Sequence, residues 1–135
     1  MLRQAGLRFD PAVVSVVAGW PLVVRNQDEV WHGAFSVSPA GIFDLGKRPP
    51  GRTDSLKLAS PGVVMVRCYI HPEMSATIVV TPNHARTRPD PRGRWRLPNV
   101  PKGRYVLHAW APGRDEIRRE VTVSGWGKTT VALRW

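Results

Sequence analysis

Proline and glycine, which interrupt regular secondary structure, are the feature that most limits what this chain can fold into. Its 135 residues include 13 prolines and 12 glycines. They are so closely spaced that no segment of about ten residues keeps the apolar period of an amphipathic helix. The segments between them are short, rich in valine, isoleucine, threonine and aromatic residues, and bounded by proline, glycine, asparagine and aspartate, which is typical of β-strands. The sequence therefore predicts an all-β protein.

The predicted strands fall into two blocks that are joined by a polar connection. The composition changes at Thr81 and Pro82, where a basic, proline-rich stretch, 82–93, begins. We therefore predict a domain over 1–81 and a smaller β module over 82–135. A module of this size buries little apolar surface alone, so we expect it to pack on the first block or to borrow that block's last strand. The strands are predicted at 12–18, 22–26, 31–37, 55–59, 62–70 and 75–81, then at 94–97, 104–110, 117–124 and 128–135, with 40–54 mainly a loop.

Charge and cysteine content exclude several kinds of protein. Lysine and arginine number 20 against 10 acidic residues, and the net charge of +10 favours an acidic partner, whether a protein, an anionic lipid or a nucleic acid. The sequence has no run of about 18 apolar residues, so we expect no membrane span. Its first residues, "MLRQAGLRFDP", lack the apolar region of a signal peptide.

The single cysteine, Cys68, excludes an internal disulfide and any site that needs two thiolates, such as an iron–sulfur cluster.

The segment "CYIHPEM" carries three potential metal ligands. Cys68, His71 and Met74 follow one another at intervals of three residues, and Pro72 stiffens the loop between them. A thiolate, an imidazole and a thioether, together with a second imidazole, form the trigonal His₂Cys site with a weak axial methionine that is typical of blue copper centres. A lone cysteine is more commonly a small buried hydrophobic residue, so a purely structural loop is the alternative.

The second imidazole has to come from another part of the chain. The candidates are His32, His84 and His108. His32 is favoured, because it lies at the start of a predicted strand of the same block and the loops at one end of a β-sandwich converge. His84 lies in the basic connection, where a solvated side chain is expected. His108 lies in the middle of a predicted strand of the second block, where a half-buried side chain is expected.

The residues around this loop resemble a known family. The pattern "LRFDPAVVSVVAGWPLVVRNQDEVWHGAFSVS", followed by "FDLG" and "PGVVMVRCYIHPEMSATIVV", resembles the cupredoxins over residues 7–81. The resemblance implies a Greek-key β-sandwich that binds one mononuclear copper ion. Many cupredoxins have an asparagine after the first histidine ligand, where this sequence has Gly33, so the tie between the ligand loops is expected to be weaker or to use a group such as Ser36. The metal ligands that the resemblance implies are His32, Cys68, His71 and Met74.

A second resemblance covers much of the remaining chain. The stretch "ARTRPDPRGRWRLPNVPKGRYVLHAWAPG" resembles the carboxypeptidase-regulatory-like, or transthyretin-like, β module. The order of the two blocks is similar to that of bacterial plastocyanin-like proteins. We expect a periplasmic or otherwise exported protein, on the assumption that its leader has been removed.

The function that the cupredoxin resemblance implies is one-electron transport between redox partners. We do not expect an enzyme, because Cys68 is flanked by Arg67 and Tyr69 and not by the two histidines that multicopper oxidases place there. Four histidines are also too few for the trinuclear cluster of those oxidases. Copper delivery, storage or resistance is one alternative function, and a metal-free β-sandwich binding module is another.

Basic residues concentrate in the second block. Their simplest role is a solvated face, and the functional alternative is a surface that steers an acidic electron-transfer partner. Nucleic acid is not expected as a partner, because the aromatic stacking platforms of single-strand binders are not evident. These basic residues are Arg86, Arg88, Arg92, Arg94, Arg96, Lys102 and Arg104.

Overall fold

The computed structural model describes all residues from Met1 to Trp135 and contains strands but no helix. The all-β prediction is confirmed. The chain accordingly has no helix that is long and apolar enough to cross a membrane. The strands are β1 (Leu2–Gln4), β2 (Phe9–Asp10), β3 (Val13–Val17), β4 (Pro21–Asn26), β5 (Ala34–Ser38), β6 (Gly41–Asp44), β7 (Thr53–Lys57), β8 (Gly62–Cys68), β9 (Ser75–Thr81), β10 (Gly103–Ala109) and β11 (Ile117–Val123).

The strands belong to two compact units, Met1–His84 and Ala85–Trp135. The first unit contains β1 to β9, which form one four-stranded and one five-stranded sheet. The second unit contains β10 and β11, which form a two-stranded sheet of their own. We predict a copper-binding domain over 1–81 and a transthyretin-like module over 82–135 that packs on the first. That these two units are that domain and that module stays a prediction.

The two sheets of the first unit form a sandwich. The strand order is β3-β9-β8-β5-β6 in one sheet and β2-β1-β4-β7 in the other. Two pairs are parallel, β1 with β4 and β3 with β9, and the other pairs are antiparallel. The chain changes from one sheet to the other five times, after β2, β3, β4, β6 and β7. Buried residues from both sheets make up one hydrophobic cluster, so the sheets share a single core.

Alternating side chains of the strands fill that core. On β4 every second residue is buried, among them Leu22 and Val24. On β8 the row of buried side chains runs through Val64 and Val66 to Cys68. Side chains alternate between the two faces of a strand, so the place of Cys68 at the end of this row directs its sulfur into the sandwich.

Several strand predictions are wrong. Residues 94–97 and 128–135 are not strands. They pair with neither open edge of the sheet of β10 and β11, and a suitable pattern of side chains does not by itself make a strand. The prediction omits β1 and β2, which have three and two residues and are too short to show a period. It also omits β6, which lies within the segment predicted as loop. There the chain turns back sharply after β5, so that Ser38 pairs with Gly41.

The second unit has fewer strands than the sequence predicts and no buried core. β10 and β11 form an antiparallel pair in which Gly103 lies opposite Val123 and Ala109 opposite Ile117. Every residue from 85 to 135 is at least partly exposed. Two strands alone are at best marginally stable in water, because they cannot enclose apolar surface between layers.

Ile78 and Ile42 offer a matched test of the core within one sheet. Ile78 on β9 is fully buried, whereas Ile42 on β6 is 76% exposed. We expect Ile78→Ala to lower the free energy of unfolding by about 2–5 kcal/mol, because it leaves a cavity between the sheets. Ile42→Ala should lower it by less than about 1 kcal/mol, since mainly strand propensity is lost. Urea unfolding followed by tryptophan fluorescence measures both values, and equal losses would contradict this placement of the core.

Candidate metal centre

Three potential metal ligands converge in the first unit, although they come from separate parts of the chain. His32 lies between β4 and β5, Cys68 ends β8, and His71 lies between β8 and β9. We call these three residues the ligand cluster. Their ligand atoms all lie within 4.8 Å of one another, and the chain has no second group of this kind. The Nδ1 atoms of the two histidines are 3.1 Å apart and lie 3.8 and 3.9 Å from the cysteine Sγ.

His32 is held by its backbone and is completely buried. Its N–H donates to the carbonyl of Arg48 at 3.1 Å, and the N–H of Arg48 donates to the carbonyl of His32 at 2.7 Å. The side-chain amide of Asn26 donates to the carbonyls of Val30 at 2.8 Å and Arg48 at 3.2 Å, which fastens both segments to the end of β4. The His32 side chain is 0% exposed, so its ring has little freedom to turn away from the other ligands.

A tight turn carries His71 and Met74. The N–H of Met74 donates to the carbonyl of His71 at 3.0 Å, and the N–H of Cys68 donates to the carbonyl of Met74 at 3.4 Å. These bonds close the loop on itself between β8 and β9. Met74 is buried and belongs to the same hydrophobic cluster as Cys68. The structure therefore places the fourth predicted ligand in the core on this closed loop, and its role as a ligand stays a prediction.

The other two histidines have different surroundings. The ring of His84 makes an edge-to-face contact with the ring of Trp20, with centroids 4.9 Å apart. Nδ1 of His108 lies 2.7 Å from a carboxylate oxygen of Glu116 on an exposed part of the second unit. Of the three histidines considered for the second imidazole, only His32 belongs to the ligand cluster.

Gly33 joins the two ligand segments through its backbone. Its N–H donates to Sγ of Cys68 at 3.3 Å, and its carbonyl accepts the N–H of Tyr69 at 3.1 Å. The Tyr69 ring covers Gly33 so closely that a Cβ atom at this position would lie 2.2 Å from the ring. Main-chain groups thus tie the loops together, and any side chain at position 33 would have to displace the Tyr69 ring. Ser36, the predicted substitute for the missing asparagine, instead accepts the N–H of Ser38 at 3.1 Å.

Asp28 is a candidate site residue that the sequence analysis misses. Its Oδ2 lies 2.8 Å from Nε2 of His32, the ring nitrogen opposite the one that faces the ligand cluster. Burial alone would raise the pKa of Asp28, but the hydrogen bond from His32 and two from backbone N–H groups outweigh burial and hold the pKa below its ordinary value. The only signal in the sequence is an aspartate four residues before the histidine. That spacing acquires a meaning only when the connection between β4 and β5 is folded.

The ligand cluster suits one copper ion. Two imidazoles and a thiolate are borderline and soft donors, which favour copper over magnesium or calcium. Bonds of about 2.0–2.3 Å from a metal to nitrogen or sulfur place two donors of the same ion about 3–4 Å apart. The observed separations of 3.1, 3.8 and 3.9 Å fall in this range. The residues present therefore fit a mononuclear copper site.

The fold is similar to those of several solved structures. The copper-containing nitrite reductase of Thermus scotoductus SA-01 matches with a TM-score of 0.57 and 23% identity over 62% of this chain, which spans only 22% of that protein. A mutant of amicyanin in its Cu(I) form matches with a TM-score of 0.54 and 19% identity over 59% of this chain and 79% of amicyanin. A purple cupredoxin from Nitrosopumilus maritimus matches with a TM-score of 0.51 and 20% identity, over 57% of this chain and 85% of that protein.

These similarities concern the fold. No protein-family model matches the sequence, and no curated protein matches it. At such low identity, a shared fold does not by itself carry a shared function. That the second block is a transthyretin-like module stays a prediction. Over the part that the solved structures cover, the chain has the cupredoxin fold.

The close approach of Tyr69 to Gly33 can be tested with a double-mutant cycle. We expect Gly33→Ala to lower the free energy of unfolding by about 1–3 kcal/mol, because the new methyl group displaces the ring. In a Tyr69→Ala background the same substitution should cost less than about 1 kcal/mol, since the obstacle is gone. Additive losses in urea unfolding would contradict the contact.

Proposed function

We propose that this chain is a type 1 copper protein that carries single electrons between redox partners. The observation behind the proposal is the approach of two imidazole nitrogens to one buried cysteine sulfur, at 3.8 and 3.9 Å, in a chain with the cupredoxin fold. When bound, copper supplies a one-electron couple between Cu(II) and Cu(I). The residues that would hold it are His32, Cys68 and His71, with Met74 as a weak axial ligand.

Hydrogen bonds and burial prepare the ligands for this role. The Gly33 N–H that points at Cys68 Sγ stabilises the negative charge of a thiolate. Both ring nitrogens of His32 are engaged, one 2.8 Å from Asp28 and the other 3.1 Å from His71. Because the donors are fixed in advance, the same arrangement can serve both oxidation states with little movement of the protein. A small rearrangement is what rapid electron transfer requires.

His71 is the residue through which we expect electrons to leave. It is partly exposed, whereas His32 and Cys68 are buried. Its neighbours in the loop are Ile70, which is half-buried, and Pro72, which is exposed. An imidazole edge with an apolar border suits the small and short-lived interfaces of redox proteins.

The second unit carries most of the net charge. Twelve basic and four acidic residues lie in 85–135, a net charge of +8, against eight and six in 1–84, a net charge of +2. A field of this sign accelerates the encounter with an acidic protein. We therefore propose an acidic electron-transfer protein, and no nucleic acid, as the partner. The order of the two blocks, similar to that of bacterial plastocyanin-like proteins, supports a periplasmic or otherwise exported location.

Copper delivery and catalysis are the competing functions. A delivery site has to release its ion readily, and the burial of His32, Cys68 and Met74, at 0%, 1% and 1% exposure, favours retention. One similar structure is a nitrite reductase, but this chain spans only 22% of it. The single ligand cluster also supports a carrier, so we propose no catalytic activity.

Addition of Cu(II) to the purified, reduced protein tests the proposed site directly. We expect an intense visible absorption from charge transfer between thiolate and copper, and we expect Cys68→Ser to abolish it. Met74→Leu should keep the colour and raise the reduction potential, because a weak axial donor is lost. Met65→Leu is the matched control, because the sulfur of Met65 is bound by Thr77 on β9, at 3.3 Å, and not by the ligand cluster. This variant should leave the reduction potential unchanged.

The outcomes of the copper titration separate the competing functions. No colour in the unchanged chain would contradict the copper proposal and favour a metal-free module. Colour that a mild chelator removes quickly would favour copper delivery. A colourless Met74→Leu would show that the axial assignment is wrong.

The steering role of the second unit predicts a salt-dependent reaction rate. We expect the copper-loaded, reduced protein to be oxidised by ferricyanide, an anion, about tenfold more slowly at high than at low ionic strength, because salt screens the attraction. The double variant Arg104→Glu, Arg119→Glu should weaken this dependence. The matched control is Arg25→Glu, Lys57→Glu, which reverses two exposed charges on β4 and β7 of the first unit. Equal effects of the two double variants would contradict a steering role specific to the second unit.

A further inference from the structure

We propose that Asp28 is a positioning residue that fixes the tautomer of His32 and links the N-terminal turn of the chain to the metal site. The proposal rests on the copper site proposed above. Its first test, however, is made on the metal-free protein, so the two can fail separately.

The carboxylate of Asp28 accepts hydrogen bonds from two parts of the chain. The turn between β1 and β2 supplies two of them: the N–H of Gly6 donates to Oδ1 at 2.5 Å, and the N–H of Leu7 donates to Oδ2 at 3.1 Å. Nε2 of His32 supplies the third, to Oδ2 at 2.8 Å. The N–H of Asp28 itself donates to Oδ1 of Asn26 at 3.0 Å. Because the turn holds the carboxylate and Asn26 holds the backbone of Asp28, the carboxylate is a fixed point against which the His32 ring is oriented.

The direction of the hydrogen bond to His32 decides which ring nitrogen is offered to a metal. An ionised carboxylate can only accept hydrogen bonds, so Nε2 of His32 carries the proton in the neutral ring. The lone pair is then on Nδ1, the atom that faces Cys68 and His71. A carboxylate in this position also makes the imidazole a stronger donor to a metal. Asp28 thus acts on the metal through His32 without touching it.

The turn that binds Asp28 is a tight hairpin turn between β1 and β2, closed by a hydrogen bond from the N–H of Ala5 to the carbonyl of Arg8 at 3.0 Å. Gly6 and Leu7 both have positive φ, at 63° and 55°. This conformation is uncommon for a leucine, and the N–H groups of both residues donate to the carboxylate of Asp28. The turn is further joined to the segment before His32, because the N–H of Gln27 donates to the carbonyl of Gln4 at 2.8 Å. The N-terminal turn is therefore part of the support of the site.

The first test is the tautomer of His32 in the metal-free protein. In a sample with ¹⁵N-labelled histidine at about pH 8, where an ordinary imidazole is neutral, long-range ¹H–¹⁵N correlation spectra distinguish the protonated from the unprotonated ring nitrogen. We expect the His32 proton on Nε2. A proton on Nδ1 would overturn the proposal, whether or not the protein binds copper. Failure of the unchanged chain to bind copper would instead overturn the proposed function and leave this result standing.

Asp28→Asn supplies the second test. With its oxygen at the Oδ1 position, asparagine still accepts the N–H of Gly6. Its amide nitrogen then takes the Oδ2 position, where it loses the hydrogen bond from Leu7 and donates to Nε2, so the proton of His32 should move to Nδ1. We expect the affinity for Cu(II) to fall by about 10–100-fold, with the urea midpoint lowered only slightly by the loss of one exposed hydrogen bond. Asp44→Asn removes the same charge from a carboxylate that accepts the N–H of Gly46 at 2.7 Å, and it should change neither the tautomer nor the affinity.

An unchanged Cu(II) affinity in Asp28→Asn would contradict the proposed role of Asp28. A loss of affinity with the His32 proton still on Nε2 would also contradict it, because a general structural role would then explain the loss. Should Asp28→Asn fail to fold, the spectrum of the unchanged chain still decides the proposal.

Discussion

The pairing of Ala34 with Cys68 between β5 and β8 is the contact on which the candidate site depends. It brings the segment that ends in His32 and Gly33 directly beside the end of β8, so that the Gly33 N–H reaches the sulfur. Because side chains alternate along a strand, a slip of one residue would turn Cys68 out of the sandwich. The buried valines on β8 oppose such a slip, since it would expose them as well. The register that forms the core therefore also assembles the ligands.

Much of the first unit could be predicted from its longer strands. β9 is found over Ser75–Thr81, where it was predicted, and β4 and β8 differ from their predictions by at most two residues at either end. These strands are long enough to show their apolar pattern, and they lie at the centre of the core. β1 and β2 could not be predicted, because they exist through pairing with each other and with β4 and not through any pattern of their own. The second unit shows the converse: residues 94–97 and 128–135 have a β-like pattern but pair with neither edge of the sheet of β10 and β11.

For the candidate site too, residues close together in the sequence could be predicted, whereas contacts between distant segments could not. His71 and Met74 follow Cys68 at short intervals, so their grouping is visible in the sequence. The approach of His32 depends on the sheet topology. Its place at the start of a predicted strand of the same block favoured it over His84 and His108, and the resemblance to a family of known fold pointed to the same residue. The supporting contacts could not be predicted at all. A glycine carries no chemical signal, and the need for it at position 33 arises from the place of the Tyr69 ring.

The lack of buried residues in the second unit has a consequence for how the chain opens. A hairpin without a core can separate its strands in a local fluctuation, so the amide protons of β10 and β11 are expected to exchange with solvent far faster than those of β8 and β9. Exchange in the central strands instead requires the cooperative loss of the sandwich. A bound ion adds its binding free energy only to the part of the chain that must unfold to release it. Occupancy of the site should therefore slow amide exchange in the sandwich and leave the exchange of the basic hairpin unchanged.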